Sequence, residues 1–68
     1  MDANNIIRQA RLAHGFSQQY MAIALGIHLR QYQRLEYGES DVKRMPLRSG
    51  LIMCQLLELD PRRLVGLD

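Results

Sequence analysis

Residues 17–38 read SQQYMAIALGIHLRQYQRLEYG and contain two short apolar patterns separated by a glycine. Met21 and Leu25 recur at helical spacing before Gly26, and a second apolar set that includes Tyr32 follows it. Glycine adopts the left-handed backbone conformation that a sharp turn between two helices requires. The pattern therefore predicts two short helices joined by a tight turn, with the second helix held out from the body of the protein.

Ten positions within this stretch carry a resemblance to a known family. They are Gln18, Met21, Ala22, Leu25, Gly26, Ile27, Tyr32, Leu35, Glu36 and Gly38. At this spacing the chain resembles the helix-turn-helix DNA-binding domains of the Cro/C1/Xre-type phage repressors. The resemblance extends backward over residues 6–17 and more loosely forward to Leu64. It implies an all-α, lambda repressor-like bundle of about five short helices that binds double-stranded DNA and regulates transcription, as a repressor.

Length and composition predict one small domain spanning residues 1–68, with the motif at 17–38. Cys54 is the only cysteine, which excludes an internal disulfide and offers no paired zinc-ligand spacing. No apolar run approaches the roughly 20 residues that span a bilayer, and the N-terminus lacks the order of a secretion signal. We expect a cytoplasmic, nucleoid-associated protein that needs no cofactor.

Start and stop signals predict the positions of the other helices. Helix one runs from residue 4 or 5 to His14 and ends at Gly15, and helix five follows the Asp60-Pro61 pair. Helix four begins at Pro46. Its predicted inward face consists of Leu47, Leu51, Cys54 and Leu57.

Charge is distributed unevenly along the chain. Seven basic and three acidic side chains lie between residues 8 and 48, a balance of +4, and the remaining residues carry −2. The basic excess surrounds the second helix of the motif. This basic excess is explained either by a nucleic-acid partner that binds there or by an ordinary solvated surface whose charges are scattered without a function.

The second helix of the motif holds the candidate base-reading residues. If Ile27, Tyr32 and Leu35 enter the core, helical geometry leaves four side chains on the outward face, namely Leu29, Arg30, Gln33 and Arg34. In the resembling family the early positions of this helix enter the major groove, where arginine bonds guanine and leucine contacts a thymine methyl group. The alternative is that both arginines only solubilise the surface.

The resemblance also implies contacts with the DNA backbone. Gln18 opens the first helix of the motif, where free backbone amides favour an anion. The other phosphate candidates are His28, Tyr37, Lys43 and Arg44. His28 replaces the usual Ser or Thr cap, and the 39–45 loop is about three residues longer than is typical of the family. For Tyr37, packing in the core is the open alternative.

Two other sets of residues receive structural roles. The resemblance implies that Arg11 pairs with Glu36 and ties helix one to the end of helix three. It also implies two-fold dimers on paired half-sites, since one helix reads few base pairs. The candidate dimer residues are Ile52, Leu56, Leu64, Val65 and Leu67, which alternatively fold back over helices one and four.

Two other classes of function are alternatives to DNA binding. A protein-interaction module of the same fold, such as an antitoxin or adaptor, would dock a partner through Ile23, Ile52 and Leu56. An enzyme is disfavoured, because Cys54 lies on an apolar helical stripe and behaves there as a small hydrophobe. The histidines have no ligand partners at metal-binding spacing, so no catalytic or metal site is predicted.

Overall fold

The computed structural model describes residues 2–67, which form five α-helices and a short 3-10 helix. The α-helices are α1 (Ala3–His14), α2 (Gln18–Leu25), α3 (Leu29–Glu36), α4 (Leu47–Leu57) and α5 (Pro61–Val65), and the 3-10 helix spans Val42–Arg44. No strand occurs among the described residues. The predicted all-α fold class is confirmed.

Short polar residues and glycine determine where the helices begin and end. The Ser17 hydroxyl accepts a hydrogen bond from the Tyr20 N–H at 2.9 Å and caps α2. Asp60 caps α5 in the same way by accepting from the Arg62 N–H at 3.0 Å, with Pro61 at the first helical position. Gly15 ends α1 in the left-handed conformation, so the predicted end of helix one and the predicted start of helix five are observed, whereas helix one starts at Ala3, slightly before the predicted residue 4 or 5.

The core lies where α1, α2 and α3 meet α4. Tyr32, Ile7 and Met53 are fully buried there. The core cluster consists of Ile6, Ile7, Met21, Ala22, Leu25, Tyr32, Leu35, Met53, Cys54, Leu57 and Leu64. Because α2 and α3 both contribute to this cluster, the angle between them is fixed by packing as well as by the turn.

The inward face of α4 differs from the predicted one. Leu47 is 77% exposed and Leu51 is 50% exposed, so the prediction that both face inward is wrong. The buried positions are Ser49, Met53, Cys54 and Leu57. Ser49 turns inward because its hydroxyl donates to the Leu25 carbonyl, an acceptor at the end of α2 that has no partner within its helix. The helix also starts at Leu47, one residue after Pro46.

The proposed dimer residues divide into two groups. Ile52 and Leu56 pack against the core, and Leu64 is only 6% exposed, because α5 folds back onto α1. Leu64 is thus buried within one copy, whereas Ile52 and Leu56 keep part of their surface exposed. Val65 at 36% and Leu67 at 74% exposure remain accessible.

Candidate nucleic-acid interface

The turn between α2 and α3 is built on one glycine. Gly26 has φ +70°, a conformation that strains any other residue, and its N–H bonds to carbonyls near the end of α2. The Ile27 N–H also returns to the Ala22 carbonyl at 3.1 Å. These bonds end α2 and reverse the chain within three residues, so that α3 starts at Leu29.

The start of α3 is capped in an unexpected way. The side chain of Gln31 accepts a hydrogen bond from the His28 N–H at 2.9 Å. This bond is half of a capping box, and it compensates for the weak capping ability of imidazole. His28 itself is exposed beside the first turn of α3.

The two sides of α3 differ in burial and chemistry. Tyr32, Leu35 and Glu36 face inward, whereas Arg30 and Arg34 are exposed. Leu29, at the first turn, is 36% exposed. Gln33 differs from the other three base-reading candidates because it is partly buried and contacts α2. The helix therefore displays two arginines and a leucine on an accessible surface.

A buried ion pair attaches α3 to α1. Arg11 Nε lies 2.5 Å from Glu36 Oε2, and Arg11 Nη2 donates to Glu36 Oε1 at 3.1 Å. The side chains are 10% and 0% exposed, respectively. Arg11 Nη1 also donates to the Phe16 carbonyl at 2.8 Å. The charge of Glu36 is thus neutralised inside the protein.

The ionisation of Glu36 follows from its surroundings. Burial alone would raise the pKa of its carboxyl, but hydrogen bonds from Arg11 and Gln18 outweigh burial and lower the pKa below the usual 4.5. Glu36 is therefore an ionised carboxylate near neutral pH and only accepts hydrogen bonds.

This lowered pKa predicts sensitivity to acid. Because the unfolded chain binds the Glu36 proton at a higher pH, the contribution of Glu36 to stability is present above pH 4.5 and is lost as pH falls through the folded pKa. Urea denaturation between pH 7 and pH 3 should show a steeper loss of stability in the wild type than in Glu36→Gln. Identical pH profiles would mean that Glu36 titrates normally in the folded protein.

Two glutamines extend the hydrogen bonding of the Arg11–Glu36 ion pair toward the surface. Gln18 Nε2 donates to Glu36 Oε1 at 3.2 Å, and Gln33 Nε2 donates to Gln18 Oε1 at 3.2 Å. Asn4 Nδ2 also donates to the Glu36 carbonyl, at 3.4 Å. The bonds of Gln33 and Asn4 were not predicted, because amide pairs leave no periodic signal in a sequence.

The segment after α3 forms an open groove against that helix. The groove has a volume of about 600 Å³, and both Arg34 and Arg44 line it, together with the acidic Glu39 and Asp41. Asp41 Oδ1 accepts from the Lys43 N–H at 2.9 Å and starts the 3-10 helix. This short helix fixes the backbone of the predicted long loop.

The basic side chains around α3 are available for a ligand. Among residues 2–67, the ion pairs are Arg11 with Glu36 and Arg62 with Asp60, and the His14 ring lies 3.5 Å from the Glu58 carboxyl group. Within this range Arg30, Arg34, Lys43 and Arg44 have no carboxylate partner, and all four are exposed. Tyr37 is 58% exposed, which does not support the core alternative for its side chain.

Other kinds of site have little support in the described residues. Burial raises the pKa of the Cys54 thiol, which disfavours a reactive thiolate. Residues 2–67 contain no group of three or more potential metal-binding side chains. None of the helices in this range combines the length and apolar character needed to cross a membrane.

The fold and the exposed side of α3 define an all-helical protein built around a helix-turn-helix. A family model described as helix-turn-helix matches residues 7–45, more than half of the 68 residues. The chain belongs to this family of DNA-binding domains, which are generally found in transcription regulators. Neither the curated proteins nor the solved structures give a significant match.

Proposed function

We propose that this protein binds double-stranded DNA sequence-specifically by inserting α3 into the major groove and represses transcription by occupying an operator. The observation that carries the proposal is the two-sided character of α3. Its inner side is anchored through Tyr32, Leu35 and Glu36, and its outer side exposes Arg30 and Arg34. An anchored helix holds its outward side chains in a fixed register against base edges.

The outward residues have matching chemistry on DNA. Arginine donates two parallel hydrogen bonds to guanine O6 and N7, and the Leu29 side chain is apolar enough to pack on a thymine methyl group. Arg30 follows Leu29 in the first turn of α3. Arg34 lies one turn later and borders the groove that also contains Arg44.

Phosphate contacts would surround this reading surface. Lys43 and Arg44 follow α3 on the capped 3-10 helix, and Tyr37, just before them, is 58% exposed. Gln18 and His28 lie at the starts of α2 and α3, where helix dipoles favour an anion. Glu39 and Asp41 would repel a phosphate inside the groove itself, so we assign the backbone contacts to its basic rim.

Salt dependence tests the phosphate assignment. Lys43→Ala and Arg44→Ala should each lower the slope of log affinity against log salt by about 0.9, because each lost cation releases one fewer counterion. Both should weaken specific and random duplexes alike. Arg62→Ala is the matched control, since Arg62 is exposed on α5 and paired with Asp60. Loss confined to the specific site would instead assign Lys43 or Arg44 to base reading.

We also propose that two copies bind one operator. Half-sites one helical turn apart place the two reading helices about 34 Å from each other. Each described copy measures 29 × 23 × 21 Å, a size compatible with adjacent copies at that spacing. The accessible Val65 and Leu67 support a contact at the α5 end. Sedimentation with an operator-length duplex should give two proteins per duplex, and one per duplex at saturation would contradict the dimer.

The second candidate function is a protein-interaction module. Ile23 on α2 is 69% exposed, which favours this alternative, whereas Ile52 and Leu56 pack partly against the core and offer a partner less apolar surface. Binding of a random-sequence duplex at low salt, measured by fluorescence anisotropy, tests the DNA proposal directly. A protein that binds no duplex but retains a partner in a pull-down would support the interaction module.

A further inference from the structure

A chain of three side chains connects the buried ion pair with the outer part of the α2–α3 motif. Gln33 donates to Gln18, and Gln18 donates to Glu36, with both nitrogen-to-oxygen distances at 3.2 Å. Gln33 and Gln18 are each partly buried, whereas Glu36 is fully covered. The chain crosses from α3 to α2 and returns to α3.

The carboxylate determines which way both amides point. Since ionised Glu36 only accepts hydrogen bonds, Gln18 must turn its NH2 group toward it. The Gln18 oxygen then faces Gln33, which in turn must present its own NH2 group. Two amides that are otherwise free to flip are therefore oriented in series by one buried charge.

We propose that Gln33 is a positioning residue that orients Gln18 for a DNA phosphate and does not read a base. This inference rests on the proposed function. Gln33 belongs to the side of α3 that contacts α2, and its amide nitrogen points to Gln18 rather than away from the protein. Gln18 keeps one side-chain N–H beyond the bond to Glu36, and its backbone N–H lies in the first turn of α2, where amides have no intrahelical acceptor.

Matched glutamine-to-methionine substitutions test this role. Methionine keeps a similar length and helix propensity but removes the amide. Gln33→Met should weaken a selected and a random duplex by the same factor, about two- to tenfold, the effect of one lost hydrogen bond. The double variant Gln18→Met with Gln33→Met should bind no more weakly than Gln18→Met alone, because Gln33 acts through Gln18. The control is Gln55→Met, at an exposed position on α4.

The free protein supplies an independent readout. In an NMR spectrum of side-chain amides, Gln33→Met should shift the Gln18 resonances, and Gln55→Met should not. An unchanged Gln18 amide, additive losses in the double variant, or altered preference at one base pair would each overturn the positioning role. A wild-type protein that binds no duplex would instead reject the proposed function itself, even if the Gln18 amide shifts as expected.

Discussion

Replacing Glu36 with alanine is expected to lower the free energy of unfolding by about 3–5 kcal/mol. The substitution leaves the Arg11 guanidinium, whose side chain is only 10% exposed, without its carboxylate, and it removes the acceptor of Gln18. Small domains are stable by only about 5–15 kcal/mol, so much of the folded population should be lost under mild denaturation. Urea unfolding followed by circular dichroism measures the change.

Two control variants distinguish the effect of breaking the ion pair from the effect of removing an acidic side chain in general. Glu39→Ala removes an exposed acid three residues later and should change stability by no more than about 0.5 kcal/mol. Replacing both Arg11 and Glu36 with apolar residues should cost less than Glu36→Ala, since no buried charge remains unpaired. An unfolding midpoint for Glu36→Ala equal to that of wild type would show that the pair does not form in solution.

Replacing Arg30 with alanine is expected to cost about 1–3 kcal/mol of DNA-binding free energy at one base pair of the selected site. The exposed guanidinium in the first turn of α3 has no carboxylate partner among residues 2–67, so its bidentate donors are available to guanine. Binding to a panel of single-base variants of the site should show relaxed preference at that pair. Random-sequence binding should fall less than it does in Lys43→Ala.

Arg30→Lys is the matched control for charge. Lysine keeps the cation but lacks the planar fork, so the salt dependence should remain while base preference weakens. Arg34→Ala provides a second position on the same exposed side of α3. Unchanged base preference in both alanine variants would remove α3 from the reading role.

The sequence predicts the motif well because local chemistry specifies it. Gly26 takes the left-handed conformation that the turn needs, and the apolar spacing around it buries Met21 and Tyr32 as expected. The Asp60-Pro61 pair likewise marks the start of α5 from its own chemistry. Such signals depend on neighbouring residues only and are visible in a single chain.

The sequence predicts only half of the inward face of α4, since Cys54 and Leu57 are buried but Leu47 and Leu51 are not, because apolar residues surround this helix. Leu47 and Leu51 form one apolar stripe at helical spacing, but Met53 and Leu57 form a second stripe that is equally apolar. The second stripe packs in the core, and Ser49 on the same side donates to the Leu25 carbonyl, a tertiary contact that hydropathy does not reveal. The same register packs Ile52 and Leu56 partly against the core.

The details of the candidate interface depend on contacts between distant segments. Gln18 and Gln33 are 15 residues apart, and their hydrogen bond forms only after α2 and α3 pack. The 3-10 helix at Val42–Arg44 was predicted as part of a loop, because its cap at Asp41 is a common turn signal as well. The apolar periodicity of the sequence predicts where α3 lies. Tertiary packing determines which of its polar side chains remain accessible to a ligand.

Selection of bound duplexes from a random DNA pool measures sequence-specific recognition by α3 without assuming a site. We expect enrichment of a short motif that contains guanine, with two inverted copies centred about one helical turn apart. The enriched pool should lose its preference when Arg30 and Arg34 are both replaced with alanine. A pool that remains random after repeated rounds with the wild-type protein would contradict sequence-specific binding through α3.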